Sequence, residues 1–357
     1  MRRATLLAMI VLAGLGTRAL AQTYEALNST LVDEVVLPVY QGYAAAIDRL
    51  PAPIVTLCAD PGPERLDAAQ QAWREAMLAW QRAQTIRFGP VIDEGLAPQI
   101  EFWPDKHATA GRQLSQALAE RDPSLLDASE LAGKSVGLTS LAALERLLFG
   151  EALLDPDLQD YACAYALAVA RHQVDLANEV VAAWTGPEGF GAAVAGAGSG
   201  NAVFFSAYDP TDALYRSIAD TLDGVIQIKL EPPLGASLPE ARGKRAENWR
   251  SQMALAGIAA NLATARDLYV TPGGFADLYA ALGSDPALDG GVRAGFEGAI
   301  AGAGAVPLPL VDAVSDPAAR QQVVELVEQL KALRTLIRGP MAGGLGLSIG
   351  FNATDGD

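Results

Sequence analysis

The chain has 357 residues, half of them hydrophobic and 19% charged, a balance that excludes a disordered polymer and indicates a globular protein. Acids outnumber bases by 42 to 26, for a formal net charge of −16. A surface that acidic repels phosphate backbones and excludes nucleic acid as a partner.

The N-terminus has the layout of an export signal. Arg2 and Arg3 precede an apolar run, Ala4 to Gly16, that is too short to anchor in a bilayer. Ala19-Leu20-Ala21 then supplies a small-x-small cleavage pattern. Residues 1–21 are therefore expected to be a signal peptide cut after Ala21, with the mature protein working outside the cytoplasmic membrane. Cleavage removes three arginines and no acid, leaving 23 bases against 42 acids and a net charge near −19. No later stretch has the length and apolarity of a membrane span. In an oxidising compartment the two cysteines, Cys58 and Cys163, read as a disulfide rather than as two buried thiols.

Beyond the signal, helical periodicity dominates and no period-2 strand series stands out. Helices are predicted over Tyr24–Leu50, with Pro38 kinking or restarting the first, and over Pro63–Arg87. An irregular stretch with three prolines follows, Phe88–Asp105. Further helices are predicted over His107–Glu120, Val136–Phe149 and Leu158–Trp184. Six glycines between residues 186 and 201 mark a linker. After it come helices over Thr211–Leu230, Glu240–Val270, Gly274–Leu282, Gly291–Ala301 and Asp316–Ile337, then a glycine-rich tail from Gly339. The expected fold is all-α, with two helical bundles over 22–185 and 202–357. Trp73-Arg74-x-x-Met77 recurs as Trp249-Arg250-x-x-Met253, on what read as comparable long helices, as a duplicated bundle with a pseudo-twofold relation requires.

Common catalytic constellations are missing. Only His107 and His172 are present, so neither H-E-x-x-H nor a Ser-His-Asp triad is supported. Gly133-Lys134-Ser135 has Ala128 where a phosphate loop needs glycine, and Ser199 is flanked by Ala197 and Asn201 instead of elbow glycines. The positive signal is Glu145, which lies beside the apolar stripe of Leu141, Leu144 and Leu148. A carboxylate there needs a cation, a metal or several donors, and an arginine partner accounts for it as well as a ligand role does. Trp73, Trp80 and Arg87 follow at intervals of seven, on one helical face, so Arg87 can reach Glu145 or a loop carboxylate. The loop offers Asp93, Glu94, Glu101 and Asp105, with His107 just after. That set suits iron or another divalent cation, or is simply a solvated acidic loop. At the end of the chain, Asn352 and Asp355 either lend oxygen ligands or cap the terminus.

Six segments, in order, resemble the imelysin-like family of exported bacterial proteins, which includes iron-regulated proteins and an imelysin peptidase grouping. They are Leu37-Pro38-Val39-Tyr40, Arg87-Phe88-Gly89-Pro90, Glu101-Phe102-Trp103-Pro104-Asp105, the Leu141–Gly150 helix, Lys229–Gly235, and Gly350-Phe351-Asn352 with Asp355-Gly356-Asp357. The resemblance implies a two-bundle helical fold with a pocket between the halves and a periplasmic role linked to iron or another metal. The family's G-x-H-x-x-E motif keeps only Glu145 here, with Ser140 and Ala142 at the Gly and His positions. The expected function is a binding or accessory protein of metal uptake, with other iron-uptake proteins as partners. Its cleft would hold Glu145, Arg87, Glu101, Asp105, Asn352 and Asp355, with Glu145 and His107 as candidate metal ligands. With the histidine gone, the ligand fits a chelated or anionic metal species better than a bare ion. The alternatives are a metallopeptidase and a protein-interaction module without metal.

Overall fold

The computed structural model describes residues 23–347 except residue 284, so the expected signal peptide and the tail residues Asn352 and Asp355 lie outside the described residues. The elements are helical throughout. Helix α1 covers residues 23–48, α2 Pro51–Ala59, α3 Pro63–Ala83, α4 Thr109–Glu120, α5 Leu141–Leu148 and α6 Gln159–Trp184. The later part holds α7 Tyr208–Asp223, α8 Ala254–Val270, α9 Phe275–Ala281, α10 Pro286–Ala305 and α11 Pro317–Leu336. No helix among the described residues is long and apolar enough to cross a membrane.

Helix α3 carries the architecture because both of its flanks are packed. One flank meets α1, α2 and α5, and the other meets α8 from the later part of the chain. Trp73, Ala76, Met77 and Trp80 supply the buried stripe, as their spacing predicts. The Trp73 indole donates to the Leu141 carbonyl at 3.0 Å, and Gln70 donates to Leu148 at 2.8 Å, fixing α5 along α3. Cys58 and Cys163 form the expected disulfide, Cα atoms 5.6 Å apart, joining α2 to α6. In the later part α8 packs on α10 and α10 on α11. Asp285 and Asp316 cap the last two long helices through their side chains.

Three stretches widen from α- to π-helix, and each has proline beside or within it. They are Val32–Val36 before Pro38, Gly224–Leu230 before Pro232-Pro233, and Ile337–Met341 around Pro340. Proline has no N–H for the i→i−4 ladder and its ring crowds the preceding turn, so a wider turn carries the helix past it. The first helix thus runs through Pro38 without breaking.

Several predicted boundaries are corrected. The helix expected over Val136–Phe149 breaks at buried Ser140, whose extended backbone separates Val136–Thr139 from α5. Helix α3 stops at Ala83, so Arg87 leaves the face of Trp73 and Trp80. The largest error is Glu240–Val270: α8 begins only at Ala254, and residues 241–253 form an irregular strap. Asn248 and Gln252 are left-handed there, with φ of 49° and 62°. Trp249 and Met253 therefore do not occupy a helix comparable to that of Trp73 and Met77.

The disulfide spans 105 residues. Replacing Cys58 and Cys163 by Ser should lower the unfolding free energy by about 2–5 kcal/mol, read as a reduced urea midpoint.

Candidate functional site

The π-helical stretch Gly224–Leu230 points Lys229 into the body of the protein, where it is 4% exposed. Its ammonium donates to Gln81 Oε1 at 2.6 Å and Asn261 Oδ1 at 2.8 Å, and pairs with Glu247 Oε2 at 2.8 Å. Those partners come from α3, α8 and the strap. Asn261 also donates its amide to the Gln81 carbonyl, and Thr85 Oγ1 donates to the Asn261 carbonyl at 3.3 Å. A buried cation tolerates burial only with such a shell.

Glu101 lies on the other side of Gln81. Its Oε2 accepts from the Trp80 indole at 2.9 Å and from Gln81 Nε2 at 3.2 Å, and its Oε1 accepts from Asn248 Nδ2 at 3.3 Å. Burial, with the Glu247 charge adding to it, pushes the Glu101 carboxyl well above the usual range against the pull of Lys229.

This network forms the floor of a cleft of about 350 Å³ whose walls include Gln84, Arg87, Phe102, Trp103, Gly224 and Ile228. The volume falls within the range of small-molecule sites. Arg87 is solvent-exposed yet enclosed by the cleft; that enclosure lowers its pKa, while Asp220, Glu247 and Asp223 hold it up. It remains a cation at any physiological pH. Its backbone N–H donates to Ser217 Oγ at 3.1 Å, which sets the residue against α7. Gly224 gives the guanidinium its place: a Cβ there would stand 3.0 Å from an Nη atom. Among the described residues no carboxylate lies within 4.0 Å of the Arg87 guanidinium. The buried Gln84 Nε2 also has no hydrogen-bond partner. That nitrogen is closed to solvent, so the donor the cleft presents is the Arg87 guanidinium, a group suited to an anion.

The sequence-derived candidates divide. Arg87 and Glu101 share the cleft, but Glu145 and Asp105 do not line it. Glu145 is buried and accepts from the Ser251 N–H at 2.9 Å and the Ser251 hydroxyl at 2.8 Å. Burial raises its pKa against those two bonds and the nearby charges of Arg250 and Arg146. Two guanidiniums around one carboxylate are poor company for a bare cation. Asp105 accepts from the N–H groups of Thr109 and Ala110 at the start of α4, 2.8 and 3.0 Å away. His107 is exposed, with its carbonyl accepting from Arg112. Among the described residues no three His, Cys, Asp or Glu side chains gather in a way that could hold a metal.

Sequence reasoning did not single out Gln81, Glu247, Asn248, Ser251 or Asn261, and read Lys229 only as part of a matching segment. A signal existed for the last of these. Lys229 falls among buried Leu222, Val225, Ile226 and Leu230, the pattern that exposed Glu145.

The Imelysin (Peptidase_M75) family model matches residues 36–337. Iron-regulated protein A of Synechococcus elongatus is 24% identical over 270 residues, 72% of this chain and 70% of that protein. An imelysin-like protein of Psychrobacter arcticum shares the fold with a TM-score of 0.75 at 20% identity, covering 93% of this chain and 98% of the other. A protein described as an iron-regulated protein A precursor, from Parabacteroides distasonis, gives 0.74 at 17% identity, with 89% and 94% covered. The chain belongs to the imelysin family.

Lys229→Met strands Glu247, Gln81 and Asn261, and should cost about 3–5 kcal/mol of stability in urea unfolding. Glu101 binds its proton more tightly folded than unfolded, so its contribution is full below the ordinary value of 4.5 and is lost as pH rises through the raised folded value. Wild-type stability should therefore fall relative to Glu101→Gln from about pH 4.5 upward, seen as diverging urea midpoints.

Proposed function

We propose that this imelysin-family chain is an exported accessory protein of iron acquisition that holds an anionic, chelated form of the metal in the Arg87 cleft. The observation that carries the reading is the Arg87 guanidinium, without a carboxylate partner, above a floor that already contains the Lys229 cation. A guanidinium binds a carboxylate through two parallel hydrogen bonds. Phe102 and Trp103 give the carbon frame of an organic chelator an apolar wall. The iron-regulated names of the Synechococcus and Parabacteroides relatives support iron as the metal. The N-terminal export pattern supports a periplasmic location.

The metal is cargo in this reading. Its coordination is completed by the chelator, so the chain needs donors for the chelator's oxygens rather than ligands of its own. Calorimetric titration with ferric citrate should show saturable binding that Arg87→Gln weakens about tenfold or more. Ferrous ion alone should give no comparable binding. Equal affinity of the two proteins for ferric citrate would remove Arg87 from the site.

A further inference from the structure

A second group of basic side chains stands apart from the cleft. Arg146 follows Glu145 on α5, and its guanidinium lies over Gly111 of α4, where a Cβ would come within 3.1 Å of Nη1. Its nearest carboxylate oxygen is on Asp105, 4.0 Å away, and both Asp105 oxygens already accept backbone N–H groups. Arg250 comes from the strap. Its guanidinium carbon stands 4.2 Å from the centre of the Trp249 ring, and Lys244 Nζ stands 5.1 Å from the same centre. Among the described residues no carboxylate lies within 4.0 Å of Arg250.

The surrounding charges leave a positive excess. Arg146 and Arg250 flank Glu145, Asp105 lies beside Arg146, and Lys244 adds a third cation at the Trp249 ring, while Glu145 gives Oε1 to both donors of Ser251. Burial lowers the Arg250 pKa, the Arg146 charge lowers it further, and Glu145 only partly restores it. Two half-buried guanidiniums that repel each other gain most from one oxyanion shared between them. Stacking on Trp249 and the space over Gly111 hold the two groups in place without that anion. Neither arginine lines the Arg87 cleft.

We propose that Arg146 and Arg250 form an oxyanion-binding site beside Trp249, taking a carboxylate or phosphate group of a ligand between their guanidiniums. The site is independent of the Arg87 cleft. The strap connects the two, however, because Glu247 and Asn248 face the floor of the cleft while Arg250 and Ser251 face α5.

The test follows the Trp249 indole N–H by two-dimensional NMR in the full chain, with its signal assigned from Trp249→Phe. Inorganic phosphate and malonate are titrated separately at constant ionic strength. At least one of them should move the signal saturably, with an apparent Kd of about 1 mM or tighter. Arg146→Gln and Arg250→Gln should each weaken that binding about tenfold, and Arg87→Gln should leave it unchanged. A response to phosphate alone identifies a phosphate-bearing ligand, a response to malonate alone a carboxylate, and a response to both a general oxyanion site. Should a Gln variant fail to fold, Arg146→Lys or Arg250→Lys, which keeps the charge but loses the two-pronged donor, takes its place and should also weaken the binding. A signal that neither probe moves, or that sodium chloride moves equally, overturns the proposal. So does a response that survives in both folded arginine variants.

Discussion

A buried ammonium must be surrounded by oxygen, and Lys229 gathers that oxygen from α3, α8 and the strap. No one of these pieces contains the site. Gln81 is held by Lys229 on its oxygen and offers its amide to Glu101, so it passes the constraint across α3. Asn248 then ties Glu101 back to the strap. The cleft is thus shaped by satisfying one cation, and a metal at the same point would have to displace an ammonium that already occupies the oxygens.

That arrangement explains which parts of the protein were legible in the sequence. The all-helical class was readable because each long helix buries a stripe with the right period. The last long helix starts at its cap Asp316 as expected, whereas the one before it is capped by Asp285, ahead of the Gly291 start that was expected. Residues 241–253 were not legible. Their composition is compatible with helix, but Glu247, Asn248 and Ser251 are drawn to Lys229, Glu101 and Glu145 on other elements. Tertiary partners outweigh a propensity of a few tenths of a kcal/mol per residue. Glu145 was found because a carboxylate beside an apolar stripe demands a partner, yet the partner is a serine that periodicity does not announce. Arg87 was singled out on a helical face it does not share, since α3 ends before it.

The prolines act on the same site at one remove. Pro232-Pro233 follow the π-helical stretch that carries both Gly224 and Lys229. A π turn has more residues per turn than an α turn, so it shifts the faces on which its side chains emerge. With Gly224 beneath the Arg87 guanidinium and Lys229 in the floor, this stretch supplies a space and a cation to one cleft. A side chain at position 224 would meet the guanidinium.

A strongly acidic chain proposed to bind an anion looks contradictory until distance is considered. Net charge sets the field far from the surface, and at physiological ionic strength that field decays over about 8 Å. Inside the cleft the nearest charges decide. There Lys229 and Glu247 compensate each other, Glu101 resists ionisation, and Arg334 and Arg338 pair with Asp220 and Asp223 behind Arg87. What is left uncompensated at the cleft surface is the Arg87 guanidinium. The acidic exterior therefore slows the approach of free anions, while an anion that carries a bound metal cation has less charge to repel. On the proposed function, long-range repulsion and short-range donors together would favour a partly neutralised chelate over its metal-free form, a selectivity that neither the surface nor the cleft provides alone.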